Sequence, residues 1–119
     1  MVAKLSVEYN SLLLSIDAPD NATIYSDKSG QVIVNGEQVI VKCSAVSNPA
    51  SMYTIYRNQT IVLNTSLTGE YVISSFSETD AGIYKCTVRN DVGSIVVGSV
   101  SFKSPCKNMI NAFLCAINY

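Results

Sequence analysis

The sequence predicts an all-β fold, a sandwich built from two antiparallel sheets. Three observations carry that prediction. Short segments alternate apolar and polar residues, turn chemistry rich in Gly, Asn and Pro separates them, and the run Asp80-Ala81-Gly82-Ile83-Tyr84-Lys85-Cys86 stands between two such segments. In that run an acidic residue and a glycine make a tight corner. Tyr84 and Cys86 then fall on one face of the strand that follows, because strand side chains alternate.

Composition sets the limits. The chain has 119 residues, enough for one compact domain and too few for two of ordinary size. Hydrophobic residues make up 48% of it and its mean hydropathy is +0.25, which supplies a core and excludes a disordered chain. A net charge of −1 provides no basic stripe for nucleic acid or acidic lipid. There is no histidine, so the commonest general base and the commonest transition-metal ligand are both missing. Cys43, Cys86, Cys106 and Cys115 show no short C-x2-C spacing for zinc. No enzyme, metal or cofactor is expected. Four cysteines allow three pairings, and an even count in a small chain fits an oxidising compartment. The sequons Asn21-Ala22-Thr23, Asn58-Gln59-Thr60 and Asn64-Thr65-Ser66 point the same way, to N-glycosylation at Asn21, Asn58 and Asn64.

Taken in order, Leu5-Ser6-Val7-Glu8-Tyr9 alternates as a strand does. Leu12 to Ile16 is either the first strand of the domain or an apolar bridge into it. Neither stretch makes a signal peptide, since the apolar run is short and Glu8 precedes it. No stretch is long enough to span a bilayer. The expectation is therefore a fragment, an incomplete gene product or one module of a larger protein. Residues 1–16 are then an N-terminal extension or the end of a preceding domain plus linker, 17–103 the domain and 104–119 a tail. Asp17 to Asn21 is turn chemistry, and Ala22 to Tyr25 a short edge strand. Gln31 to Val34 continues it after the turn at Ser26 to Gly30, and Asn35-Gly36 is a tight-turn signal. Such breaks suit an edge strand that crosses between sheets.

Val39, Val41 and Cys43 share a face in the strand from Glu37 to Cys43, which Asn48-Pro49 closes. Tyr53 and Ile55 point inward from Met52 to Arg57. A short strand covers Thr60 to Leu63, and another covers Glu70 to Ser75 with Tyr71, Ile73 and then Phe76 inward. Gly82 to Asn90 places Tyr84, Cys86 and Val88 inward and Ile83, Lys85, Thr87 and Arg89 outward. After the hairpin at Asn90-Asp91-Val92-Gly93, the last strand runs from Ser94 to Lys103. Its inward parity shifts from Ile95 and Val97 to Val100 and Phe102, and Gly98 at the shift predicts a bulge. Nine short strands are expected in all.

The D-x-G-x-Y-x-C run of Asp80, Gly82, Tyr84 and Cys86 resembles the immunoglobulin superfamily over roughly residues 17 to 103. The C-x-x-x-N-x-x-G run of Cys86, Asn90 and Gly93 resembles its intermediate set, and the interval from Cys43 to Cys86 fits the intermediate or constant-2 type. The resemblance implies a Greek-key sandwich with a Cys43–Cys86 bridge between sheets. It also implies a tyrosine corner at Asp80, Gly82 and Tyr84. Closing that loop removes roughly 4 kcal/mol of unfolded-chain entropy on the simple model. The chain departs from the family in two ways. Ile55 stands where a tryptophan usually packs on the bridge, so neighbours such as Tyr53, Tyr71 or Phe76 must close the gap. No Lys or Arg lies between Asn64 and Phe76 to pair with Asp80, which instead caps its own corner.

The resemblance further implies a non-catalytic adhesion or recognition module at the cell surface or outside the cell. Its partner would be a protein, including another immunoglobulin-like domain or a second copy. The alternative is an intracellular, sarcomeric domain of the titin or twitchin type with reduced cysteines. Tyr56, Arg57, Lys85 and Arg89 are the candidate partner-binding residues, because Tyr and Arg are over-represented in contact hot spots. In the tail, Asn108 to Ile117 reads as a short helix. Three readings of the tail compete: a second bridge between Cys106 and Cys115, the stump of a further domain, or read-through beyond the true end of the gene, with the last two slightly favoured. With the tryptophan missing, the bridge and Tyr84 must specify more of the core. Cys86→Ala should therefore cost about 2–5 kcal/mol, the upper part of the range for a lost bridge. A variant that still melts cooperatively near the parent temperature contradicts this.

Overall fold

The computed structural model describes residues 16–105, which form eight strands and one 3-10 turn at Glu78–Asp80. The strands are β1 (Asp17–Tyr25), β2 (Gln31–Val32), β3 (Val39–Asn48), β4 (Met52–Arg57), β5 (Thr60–Ser66), β6 (Glu70–Ile73), β7 (Gly82–Arg89) and β8 (Ser94–Lys103). Alternation in sequence becomes alternation in burial. Val39, Val41 and Cys43 are buried on β3, Tyr53 and Ile55 on β4, and Tyr84, Cys86 and Val88 on β7, with exposed or half-buried neighbours between them. These faces meet as a sandwich: one sheet has the order β1-β3-β6, the other β2-β8-β7-β4-β5. The Cys43–Cys86 disulfide crosses between the sheets through the middle of the core.

The first strand differs from expectation. Asp17 to Asn21 is not a turn but the start of β1, which pairs antiparallel with β3 from Asp17↔Asn48 to Tyr25↔Lys42. The turn-prone residues are absorbed by two breaks in register, between Asp17 and Asp20 and between Asp20 and Thr23, and Asn21 takes a positive φ of 51°. β3 runs on to Asn48 and supplies a template that the local chemistry of β1 did not reveal. Pro19 is tolerated because β1 is an edge strand. Beyond the next turn β2 changes sheets and pairs in parallel with Phe102 and Lys103 of β8. That turn is tied down by Lys28, which bonds the Glu37 carboxylate and the Gln38 carbonyl.

The bulge in the last strand lies where the parity shift put it. Tyr84 faces Val100 and Lys85 faces Gly98, so Ser99 is left over and Val100 and Phe102 turn inward. β6 ends at Ile73, two residues earlier than expected. Eight strands rather than nine are present among the described residues; Leu5 to Tyr9 lies outside them, as do Cys106, Cys115 and the helix expected in the tail.

Ile55 is fully buried where a tryptophan would be larger. The missing volume is made up on two sides. Tyr71, Tyr84, Phe102 and Phe76 form a run of tilted and edge-to-face rings, with centroids 6.3, 5.3 and 6.3 Å apart in that order. Phe102 of β8 is the link that sequence reasoning did not name as a filler. On the other side the loop before β6 closes tightly. A Cβ on Gly69 would stand 2.2 Å from the Cys43 carbonyl oxygen and 3.1 Å from the Tyr53 ring, so only glycine lets this backbone reach the core.

At the pole where β1 begins, Asn90 acts as a hub. Its Nδ2 donates to the carbonyls of Asp17 and Pro49 at 2.7 and 3.0 Å, while its Oδ1 accepts the N–H groups of Val92 and Gly93. One side chain thus holds the chain entry, the β3–β4 loop and the β7–β8 hairpin together. Gly69 and Gly36 both have positive φ, at 71° and 92°, but nothing lies within 4 Å of the Cβ position at Gly36. Gly36→Ala should therefore cost about 1–2 kcal/mol from backbone strain alone. Gly69→Ala adds a backbone collision and should cost on the order of 3 kcal/mol or more. Urea melts of the two variants check the difference.

Candidate protein-binding face

The corner before β7 is built from its own backbone. Asp80 Oδ2 accepts the Ser77 N–H at 2.9 Å, and the Ser77 hydroxyl at 3.4 Å, which closes the 3-10 turn on itself. Tyr84 then donates its hydroxyl to the Asp80 carbonyl. With its ring in the core, Tyr84 fixes the height at which β7 enters the sheet. Burial pushes its hydroxyl up to a pKa of about 12, against an opposing effect from the Arg57 guanidinium beside it. Burial also raises Tyr71 in the same cluster.

Arg57 is a correction to the candidate set. It lies opposite Tyr84 in an unbroken β4–β7 register, so it projects to the same side as Tyr84. Sequence parity already implied this, since Arg57 follows the inward Tyr53 and Ile55 at steps of two. The residue closes the end of the core and does not belong to the outer face.

Tyr56, Lys85 and Arg89 do share that face. The register lays it out in rows across the sheet: Ile61, Tyr56, Lys85 and Gly98; then Thr54, Thr87 and Val96; then Met52, Arg89 and Ser94. The Lys85 stem crosses Gly98 closely, since a Cβ there would stand 3.0 Å from its Cγ. The apolar members are open to solvent, with Val96 68%, Ile83 49%, Ile61 48% and Met52 40% exposed. Sequence reasoning placed Ile83, Lys85, Thr87 and Arg89 outward but did not count Met52, Ile61 and Val96 toward a contact surface. Parity with Tyr56 was the signal for Met52 and alternation with Ile95 and Val97 the signal for Val96, whereas Ile61 needed the pairing register. The face is therefore mixed: Met52, Tyr56 and Ile61 gather on its β4–β5 side, while Ile83 and Val96 are set apart from them by Lys85 and Thr87.

All three sequon asparagines are exposed, but they are not equivalent. Asn58 sits in the β4–β5 turn at φ 55°, and its Oδ1 accepts the Ile83 N–H at 3.1 Å. Its amide lies against Gly82, where a Cβ would meet Asn58 Nδ2 and Oδ1 at 2.9 Å. Asn21 lies in the irregular part of β1. Asn64 is on the edge strand β5, with its Oδ1 accepting from the Thr65 hydroxyl. No group of three or more metal-ligating side chains occurs among the described residues, and no helix there is long and apolar enough to cross a membrane.

Residues 13–103 match a family model described as an immunoglobulin domain. Among curated proteins the chain is 33% identical over 73 residues to Protein sidekick of Drosophila melanogaster, covering 61% of this chain and 3% of that protein. It is 28% identical over 87 residues to Protein sidekick-1 of Mus musculus, covering 71% of this chain and 4% of that one. The chain thus spans a small part of the length of these relatives. Among solved structures it matches Sidekick-1 immunoglobulin domains 1-5 with a TM-score of 0.60 at 22% identity, over 76% of this chain and 19% of that one. It also matches tandem Ig repeats of Dlar with a TM-score of 0.57 at 25% identity, over 71% and 48%. At such identities the structural likeness establishes the fold.

The raised tyrosines give the fold an alkaline limit. Tyr84 keeps its proton to about pH 12 when folded, but titrates near 10 when unfolded. Its contribution is complete below about pH 10 and is lost as pH rises toward about 12, because only the unfolded chain then gives up the proton. Urea melts across that window should show falling stability, and Tyr84→Phe should flatten the fall while costing about 1 kcal/mol at neutral pH for the lost hydrogen bond.

Proposed function

The chain belongs to the immunoglobulin domain family, and from that premise we propose that it is a non-catalytic recognition module, outside the cell or at its surface, that binds protein through the outer face of β4, β5, β7 and β8. One observation carries the reading. Met52, Tyr56 and Ile61 lie together on the outer surface of the sheet, with Lys85 and Arg89 on the neighbouring strand beside them. Scattered apolar residues are ordinary on protein surfaces, but a cluster of them beside charged and hydroxyl groups on one sheet suits a contact site. Tyr56 supplies area at low entropic cost, and the cations on the neighbouring strand supply orientation.

The extracellular setting is supported by the closed, fully buried bridge and by the exposed sequons at Asn21 and Asn64. An intracellular, load-bearing role has no comparable support, because its cysteines would stay reduced. The likeness to Sidekick-1, whose structure spans immunoglobulin domains 1-5, and the small share of the sidekick relatives that this chain covers suit a module within a longer chain of such domains. The partner is a protein surface, and a second copy of this domain is among the partners the face fits.

Beads coated with the full chain test the reading, scored for aggregation with one another and for capture of cell-surface protein. Tyr56→Ala and Arg89→Ala should each weaken binding by about 1–2 kcal/mol, roughly a five- to thirtyfold loss. Arg57→Ala should lower the melting temperature and leave binding by the folded protein intact. Binding that survives Tyr56→Ala with Arg89→Ala removes this face from the mechanism.

A further inference from the structure

On the outer face a shallow groove of about 190 Å³ runs between β4, β5 and β7. Met52, Tyr56 and Ile61 line it with apolar surface, Thr87 and Arg89 are among its polar groups, and Asn64 itself forms part of its wall. The volume falls below the roughly 300–1,000 Å³ of pockets that hold drug-sized ligands. It has room for a single sugar ring. A pyranose has one face of C–H groups that packs on an aromatic ring, and an edge of hydroxyls that takes hydrogen bonds from a hydroxyl or a guanidinium. Tyr56 offers the first kind of contact, and Thr87 and Arg89 offer the second.

We infer that Asn64 carries an N-linked glycan whose first sugar lies back in this groove, over Met52 and Tyr56. This rests on the extracellular reading above. The attachment is ordinary chemistry for a sequon. Nδ2 of Asn64 displaces the lipid diphosphate from the anomeric carbon of a polyprenyl-linked oligosaccharide: the N–C bond forms, the C–O bond breaks, and the Nδ2 proton goes to the transferase base. Asn64 is open to this reaction. Its Oδ1 is held by the Thr65 hydroxyl, and its strand is the outermost of its sheet. Asn58 is not comparable, because its amide is packed against Gly82 and its Oδ1 is committed to the Ile83 N–H. The consequence is a division of the outer face. In the glycosylated protein the sugar covers Met52 and Tyr56, and partner contact concentrates on β7 and β8, around Lys85 and Val96. The unglycosylated protein offers a partner the whole face, Tyr56 and Arg89 included.

The full chain, secreted from eukaryotic cells behind an added signal sequence, gives the test. Glycopeptide mass spectrometry should find Asn64 occupied and more fully so than Asn58. Hydrogen peroxide should then oxidise Met52 at least threefold more slowly in the glycosylated protein than in its Asn64→Gln variant, with Met1 as internal reference. Asn21→Gln should leave Met52 protected. Equal Met52 oxidation with and without the Asn64 glycan overturns the inference. An empty Asn64 beside an occupied Asn21 overturns it too, yet leaves the extracellular reading standing. A chain that bears no glycan at any sequon removes both.

Discussion

Parity is the constraint on which the structure depends, and the Cys43–Cys86 bridge enforces it. A strand that slips by one residue exchanges its two faces, so its register must be held where one face is a core and the other a surface. The bridge pins β3 to β7 with both sulfurs inward. Tyr84, two residues before Cys86, is pinned with it and ties the strand's start to the Asp80 carbonyl. Every pair in the β7 ladder inherits that phase. Tyr53 and Ile55 of β4 are inward because they face Val88 and Cys86, and Met52, Thr54 and Tyr56 are outward by exclusion. The binding face and the core are two readings of one register.

The same constraint separates two arginines that look alike in sequence. Arg57 and Arg89 both sit at strand ends beside the hot-spot residue types. Arg57 faces Tyr84, and there its guanidinium lies among phenols that burial has made reluctant to ionise. Arg89 faces Met52 from the outer side and meets solvent. A charge among buried hydroxyls stabilises a core edge, whereas a charge on the open outer face orients a partner.

Much of this was legible in the residues because period-two patterns are local. The inward sets on β3, β4 and β7, and the bulge at Gly98, follow from alternation within single strands. What was not legible depends on neighbours. Asp17 to Asn21 reads as a turn because its residues prefer one, but pairing with the far end of β3 outweighs that preference. The filling of the tryptophan gap by Phe102 depends on a ladder between Tyr84 and β8 that no single strand displays. The candidate face was half legible. Its charged members stood out by type and Val96 by alternation with Ile95 and Val97, while Ile61 looks like a core residue until the register sets it outside. The misplacement of Arg57 had a different cause, since residue type was weighed above a parity that the sequence already contained.

The hub at Asn90 bears on how the domain would behave under tension. Its amide carries hydrogen bonds to Asp17, at the chain entry, and to Pro49, and its own backbone belongs to the hairpin between β7 and β8. A pull applied at Asp17 does not simply peel β1 from β3 one rung at a time. Part of it is delivered through Asn90 into the strands that carry the bridge. The edge strand and the hairpin of the opposite sheet are thus tied at the point where the chain enters, and a pull there meets both.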